Sequence, residues 1–127
     1  MAKRYCLLIV DDDAAIVRSI VRLFEGEPYD LSPTSDPKEA VAWLQKQDFD
    51  MIISDFHMGS MTGFDLFRRA NSLGRKAIKV LITGTPDASL VSDTPNDLGV
   101  RTMIIKPWDS DRFKQDIRRL LGIVVEG

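Results

Sequence analysis

Tyr5-Cys6-Leu7-Leu8-Ile9-Val10 runs unbroken into Asp11-Asp12-Asp13, and Ile16, Val17, Ile20, Val21 and Phe24 then recur at three-to-four spacing until Gly26. An apolar run this short, without alternation, reads as a strand buried on both faces, because a half-solvated strand shows a polar residue at every second position. The stripe that follows is one face of an amphipathic helix, closed by a residue that tolerates a left-handed turn. A fully buried strand followed at once by a helix is the start of a parallel sheet with helices packed over it.

The same unit recurs along the chain. Further runs lie at Tyr29 to Thr34, Met51 to Ser54, Ala77 to Thr83 and Thr102 to Ile105. The run from Tyr29 carries Asp30, Ser32 and Pro33, and a proline cannot donate to a ladder on both sides, so it belongs at a sheet edge. Between the runs, Asp36, Pro37 and Glu39 fit the N-cap, first-turn proline and reciprocal acid of a capping box, leading into Ala40, Val41 and Leu44. A third helical pattern carries Phe64, Phe67, Ala70 and Asn71 after Gly63, and a last one, capped by Asp109, carries Phe113, Ile117, Leu120 and Leu121. Residues 86 to 98 hold only Leu90, Val91 and Leu98 as aliphatic anchors, with Pro95 inside, which predicts a short or mobile fourth helix. Five strand-helix alternations predict an α/β, (βα)5 three-layer fold with right-handed crossovers.

Composition sets the outer bounds. The chain has 127 residues, 44% hydrophobic and 28% charged, with a formal net charge of -2, which describes one soluble domain over residues 1–127, large enough for a core without metal or disulfide support. One cysteine, Cys6, makes no intrachain disulfide, and one histidine, His57, makes no Cys/His zinc cage. No apolar run approaches the ~20 residues of a bilayer span, and no charged-then-apolar leader opens the chain. The expectation is a cytoplasmic protein with no membrane association. Basic residues are scattered among acids and the sequence pI is 5.3, so no direct nucleic-acid contact is expected. After Leu121 the segment 123–127 reads as a tail or an expression remnant.

Open parallel sheets bind ligands at the carboxyl ends of their strands. The residues standing there are Asp11, Asp12 and Asp13 after the first run, Asp55 after the third, Thr83 and Gly84 after the fourth, and Lys106 and Pro107 after the fifth. If the first and third strands are neighbours, ~4.8 Å apart, the carboxylates of Asp11, Asp12 and Asp55 converge. Two such charges ~5 Å apart repel by roughly 3 kcal/mol at an effective dielectric near 20, so the cluster calls for a cation, a proton or a basic partner. Hard oxygen ligands without imidazole or thiolate favour magnesium. Asp13 by itself reads as a helix N-cap.

In order and at matching spacing, Leu8-Ile9-Val10-Asp11-Asp12-Asp13, Ile52-Ile53-Ser54-Asp55-Phe56-His57-Met58, Met61-Thr62-Gly63, Leu81-Ile82-Thr83-Gly84 and Ile105-Lys106-Pro107 resemble the receiver domain of two-component response regulators, over nearly the whole chain. That resemblance implies a flavodoxin-like fold of strand order 2-1-3-4-5 with Asp55 as phosphoacceptor. It implies Mg2+ (or Mn2+) held directly by Asp12 and Asp55, mainly through water by Asp11, and by the His57 backbone carbonyl. Thr83 would hydrogen-bond a phosphoryl oxygen, Gly84 would leave room for it, and Lys106 would neutralise its charge, directed inward by a cis peptide before Pro107. The implied partners are a sensor histidine kinase or phosphotransfer protein and an output domain or effector protein, with a phosphorylation-dependent homodimer also open. The implied output surface is the face of helix 4, strand 5 and helix 5, and the only chemistry catalysed is the protein's own phosphorylation and dephosphorylation.

The chain departs from the family pattern at three points. Met103 stands where receivers often carry an aromatic switch residue, Gly59 where a proline commonly follows the methionine, and Trp108 where phenylalanine is more usual. The residues at the positions that tune acyl-phosphate hydrolysis are His57 and Thr85. A haloacid-dehalogenase-like phosphatase would need a second aspartate where His57 stands, and a flavodoxin would need a Ser/Thr/Gly phosphate loop where three aspartates stand. The remaining rival is a receiver-fold interaction module without regulated phosphorylation.

Overall fold

A computed structural model describes residues 3–84 and 95–123. Five strands, β1 (Tyr5–Val10), β2 (Tyr29–Thr34), β3 (Met51–Asp55), β4 (Ile78–Thr83) and β5 (Val100–Ile105), alternate with α1 (Ala14–Leu23), α2 (Pro37–Lys46), α3 (Gly63–Ser72) and, after β5, α4 (Ser110–Leu121). All neighbouring strands pair in parallel, in the order β2-β1-β3-β4-β5. Val10 pairs with both Thr34 and Ser54, Asp55 with Ile82, and Thr83 with Ile105. The carboxyl ends of the strands therefore finish at one level.

Successive residues of the inner strands face opposite layers, and both layers are dry. Leu8 and Val10 join Leu44, Phe64, Phe67 and Leu81 on the α2–α3 side, while Leu7 and Ile9 join Ile20, Phe24, Phe113 and Ile117 on the α1–α4 side. Each such side chain contributes about 1.5–3 kcal/mol by leaving water, and this two-sided burial makes the β1 run continuous. β2 lies at the edge, with Asp30 and Pro33 exposed, as the proline requires. Trp108 packs edge-on to Phe113, with ring centroids 5.3 Å apart.

The local signals operate with two differences. Asp36 caps α2, accepting from the Lys38 N–H at 2.9 Å, with Pro37 in the first turn. The expected return bond from Glu39 is not formed, because the Asp36 N–H is already taken by the Thr34 hydroxyl at 3.0 Å. A closed capping box stands instead at α3, between Thr62 and Asp65. The second difference is in β5, which starts at Val100: Lys79 pairs with Val100 and Val80 with Thr102, leaving Arg101 as the extra, exposed residue of a bulge. A charged residue turned to solvent hid the start of this strand from a search for apolar runs. Of the window 86–98, residues 86–94 lie outside the described residues, and Asn96–Leu98 forms one 3-10 turn that buries Leu98. Among the described residues no helix is long and apolar enough to cross a membrane.

Candidate functional site

β1 and β3 are adjacent and end level, and this places Asp11 and Asp55 side by side. Asp11 is fully buried and Asp55 nearly so, while Asp12, on the turn into α1, is exposed. One carboxylate oxygen from each of the three lies within 4.8 Å of the others. Asp13 sits outside this group as the N-cap of α1, accepting from the Ala15 N–H at 2.9 Å. Its own N–H donates to Asp11 Oδ1 at 2.9 Å, which leaves Asp11 Oδ2 to face the site.

Lys106 enters from the end of β5. Its main-chain N–H donates to the Thr83 carbonyl at 2.9 Å, and the bond to Pro107 is cis, as expected. Lys106 Nζ donates to Asp11 Oδ2 at 2.9 Å and to Asp55 Oδ1 at 3.3 Å. Thr83 closes β4 beside them, almost wholly buried. His57 lies in the loop after β3 with its imidazole exposed and edge-on to Phe56, ring centroids 4.7 Å apart. A methyl group at Gly84 would make only ordinary contact, 3.9 Å from Lys106 Cδ.

Charge in this pocket is unbalanced, with three carboxylates against one ammonium. Burial pushes the Asp11 carboxyl above its ordinary value, opposed by the hydrogen bonds from Lys106 and the Asp13 N–H and reinforced by the charge on Asp55. Burial likewise raises Asp55, opposed by Lys106 and aided by Asp12. For Lys106, burial acts to lower the pKa, but the hydrogen bonds and attraction from Asp11 and Asp55 together raise it. The ammonium stays charged and offsets only part of the negative field. The pocket can take a further cation, and its all-oxygen, partly solvated donor set suits a hard divalent ion that keeps some of its waters.

Two supporting groups stand in the motifs quoted above with no role assigned to them. The buried Ser54 hydroxyl donates to the Asp55 main-chain oxygen at 2.9 Å, and Gly63 packs against that same oxygen. The residue types alone, a serine in an apolar run and a glycine at a helix start, do not reveal these contacts, which show only in the geometry around Asp55.

A family model described as the response regulator receiver domain matches residues 7–118. The C4-dicarboxylate transport transcriptional regulatory protein DctD of Rhizobium meliloti is 29% identical over 113 residues, covering 89% of this chain and 24% of that protein. The chain thus spans about a quarter of the length of that relative and of several other transcriptional regulators that it matches. Sporulation initiation phosphotransferase F of Bacillus subtilis is 22% identical over 92% of this chain and 94% of its own length. Among solved structures, the signal receiver domain of an HD domain-containing protein from Pseudomonas fluorescens Pf-5 superposes with a TM-score of 0.86 at 28% identity, covering 94% of this chain and 96% of that one. The receiver domain of a sensor histidine kinase from Pseudomonas aeruginosa PAO1, solved with a magnesium ion in its active-site cleft, shares the fold at 18% identity and a TM-score of 0.81, over 94% and 99% of the two chains. The match runs from the core of β1 to the last turns of α4, and on that ground the chain belongs to the response regulator receiver domain family.

Proposed function

We propose that this domain is the phosphorylation-dependent switch of a two-component phosphorelay, with Asp55 as the phosphoacceptor. The observation that carries the proposal is the gathering of Asp11, Asp12 and Asp55 oxygens within 4.8 Å, with the Lys106 ammonium bonded to two of the three acids. An Asp55 oxygen attacks phosphorus of a phosphohistidine or a small acyl phosphate. The new P–O bond forms as the P–N bond to the donor imidazole, or the P–O bond to the acyl group, breaks, and the leaving group departs with its electron pair. Lys106 neutralises charge on the group in transfer, and the Thr83 hydroxyl donates a hydrogen bond to a phosphoryl oxygen.

Asp11, Asp12, Asp55 and the His57 main-chain carbonyl would hold a Mg2+ (or Mn2+) ion, in keeping with the magnesium in the cleft of the Pseudomonas aeruginosa receiver. When bound, such an ion supplies electrostatic stabilisation at the phosphoryl oxygens.

The proposed partners are a sensor histidine kinase or phosphotransfer protein on the input side and an output domain or effector protein on the other. Phosphorylation adds nearly two negative charges, and the surface proposed to repack in response is the helix 4, strand 5 and helix 5 face, of which strand 5 (β5) and helix 5 (α4) are described while residues 86–94 lie outside the described residues. In support, a groove of about 780 Å³ runs between β5 and α4, lined by Met103, Ile105, Trp108, Arg112, Asp116 and Arg119, and Ile105, next to Lys106, is 47% exposed. A phosphorylation-dependent homodimer through such a face belongs to the same proposal. The chain acts as one receiver unit, 1–127 with a tail at 123–127, in a cytoplasmic setting, and turns over no external substrate.

Incubation with acetyl phosphate and Mg2+, read by intact mass, tests this directly. One phosphoryl adduct is expected, absent from Asp55→Asn and suppressed by a chelator. Absence of an adduct on the parent chain would favour an interaction module that uses the fold alone.

A further inference from the structure

The first turn of α3 lies closer to the acceptor strand than any side chain permits. A methyl group on Gly63 would stand 2.7 Å from the main-chain oxygen of Asp55, 2.9 Å from Leu81 Cδ1 and 3.3 Å from Ser54 Oγ. Gly63 is the first residue of the helix and does not have a positive φ. Alanine is the better helix former in such a conformation, so glycine is required here by space and not by backbone angle.

The close approach is held from several directions. The Gly63 N–H donates to the Phe56 carbonyl at 2.8 Å, the Phe56 N–H to the Ile82 carbonyl at 3.0 Å, and Ser54 Oγ to the Asp55 carbonyl at 2.9 Å. Leu81 Cδ1 is the end of a side chain and can yield to an added methyl. The Asp55 oxygen belongs to main chain locked in the β3–β4 ladder, so relief there must turn the Asp55–Phe56 peptide or push α3 away.

We infer that Gly63 is a positioning residue for the phosphoacceptor: the missing Cβ lets α3 seat against the Asp55 carbonyl and fixes the peptide from which the carboxylate reaches Asp11, Asp12 and Lys106. The inference rests on the function proposed above, and it assigns Gly63 no contact with substrate.

The test compares the full chain with Gly63→Ala, with Gly63→Ala/Leu81→Val, in which the apolar contact is relieved and the backbone contact is not, and with Ile117→Val, a core substitution in α4 away from the site. Melting temperature in chelator, Mg2+ dissociation constant by calorimetry and the rate of labelling by acetyl phosphate are measured for each. Both Gly63 variants should bind Mg2+ about tenfold more weakly, the scale of losing a group that orients a ligand, and label more slowly, while Ile117→Val lowers the melting temperature at parental Mg2+ affinity. If Gly63→Ala alone does not fold, the double variant provides the same comparison. Parental affinity in either Gly63 variant, or an equal loss in Ile117→Val, overturns the inference. A parent chain that neither binds Mg2+ nor takes label removes the functional proposal itself, a result distinct from a parent that works beside a Gly63 variant that works equally well.

Discussion

At the scale of single residues, the site is a place where stability is given up. Asp11 and Asp55 titrate above their ordinary value of 3.8 because they are buried. Between 3.8 and their folded values the native state binds more protons than the unfolded chain, so stability falls as pH rises through that window, and the penalty is complete only above the folded values. Lys106 works in the opposite sense: its raised pKa gives stability that is present below 10.5 and is lost as pH rises through the folded value. Asp55→Asn removes one acid and leaves Lys106 paired with Asp11. In chelator at pH 7 it should therefore be more stable than the parent by on the order of 1 kcal/mol, a fraction of the roughly 3 kcal/mol of bare repulsion at this spacing. Its denaturation midpoint should also depend less on pH above 3.8. Urea titrations across pH 4–8 check both points, and a destabilised Asp55→Asn would contradict them. The acids and the lysine were legible because each ends an apolar run whose neighbours are fixed by topology. Gly63 was not, since its role lies in the absence of atoms and shows only once α3 is set against β3.

At the scale of elements, legibility followed how many local signals agreed. α2 combines an N-cap, a first-turn proline and an amphipathic stripe, and it spans Pro37–Lys46 as its residues suggest. Its capping box was over-read because the spacing of Asp36 and Glu39 does not reveal that Thr34 competes for the same N–H. Asp36→Ala should cost about 1 kcal/mol, the usual worth of an N-cap, and Glu39→Ala well under half of that. Equal losses in chemical denaturation would mean that the reciprocal bond forms in solution. The start of β5 was misplaced for a related reason: a bulged Arg101 breaks the pattern that a search by hydrophobic runs depends on.

At the scale of the whole molecule, the order 2-1-3-4-5 brings residues far apart in sequence to one edge, and Lys106 reaches Asp11 across 95 positions. The continuous apolar strands and right-handed crossovers point to a parallel sheet with helices on both faces, but the strand order that brings these residues together was legible only through the resemblance to receiver domains. Their convergence also predicts linkage: a cation that binds only the folded site stabilises by mass action, about 2.7 kcal/mol at a hundredfold excess over its dissociation constant. Mg2+ should thus raise the melting temperature of the parent chain and do so far less for Asp55→Asn. The most direct test of the central claim is to label the parent chain with acetyl phosphate and Mg2+, reduce it with borohydride, which converts an aspartyl phosphate to homoserine, and map the peptides by mass. Homoserine at position 55 and nowhere else is the expected result; an unmodified Asp55, or label carried by another residue, would contradict the account.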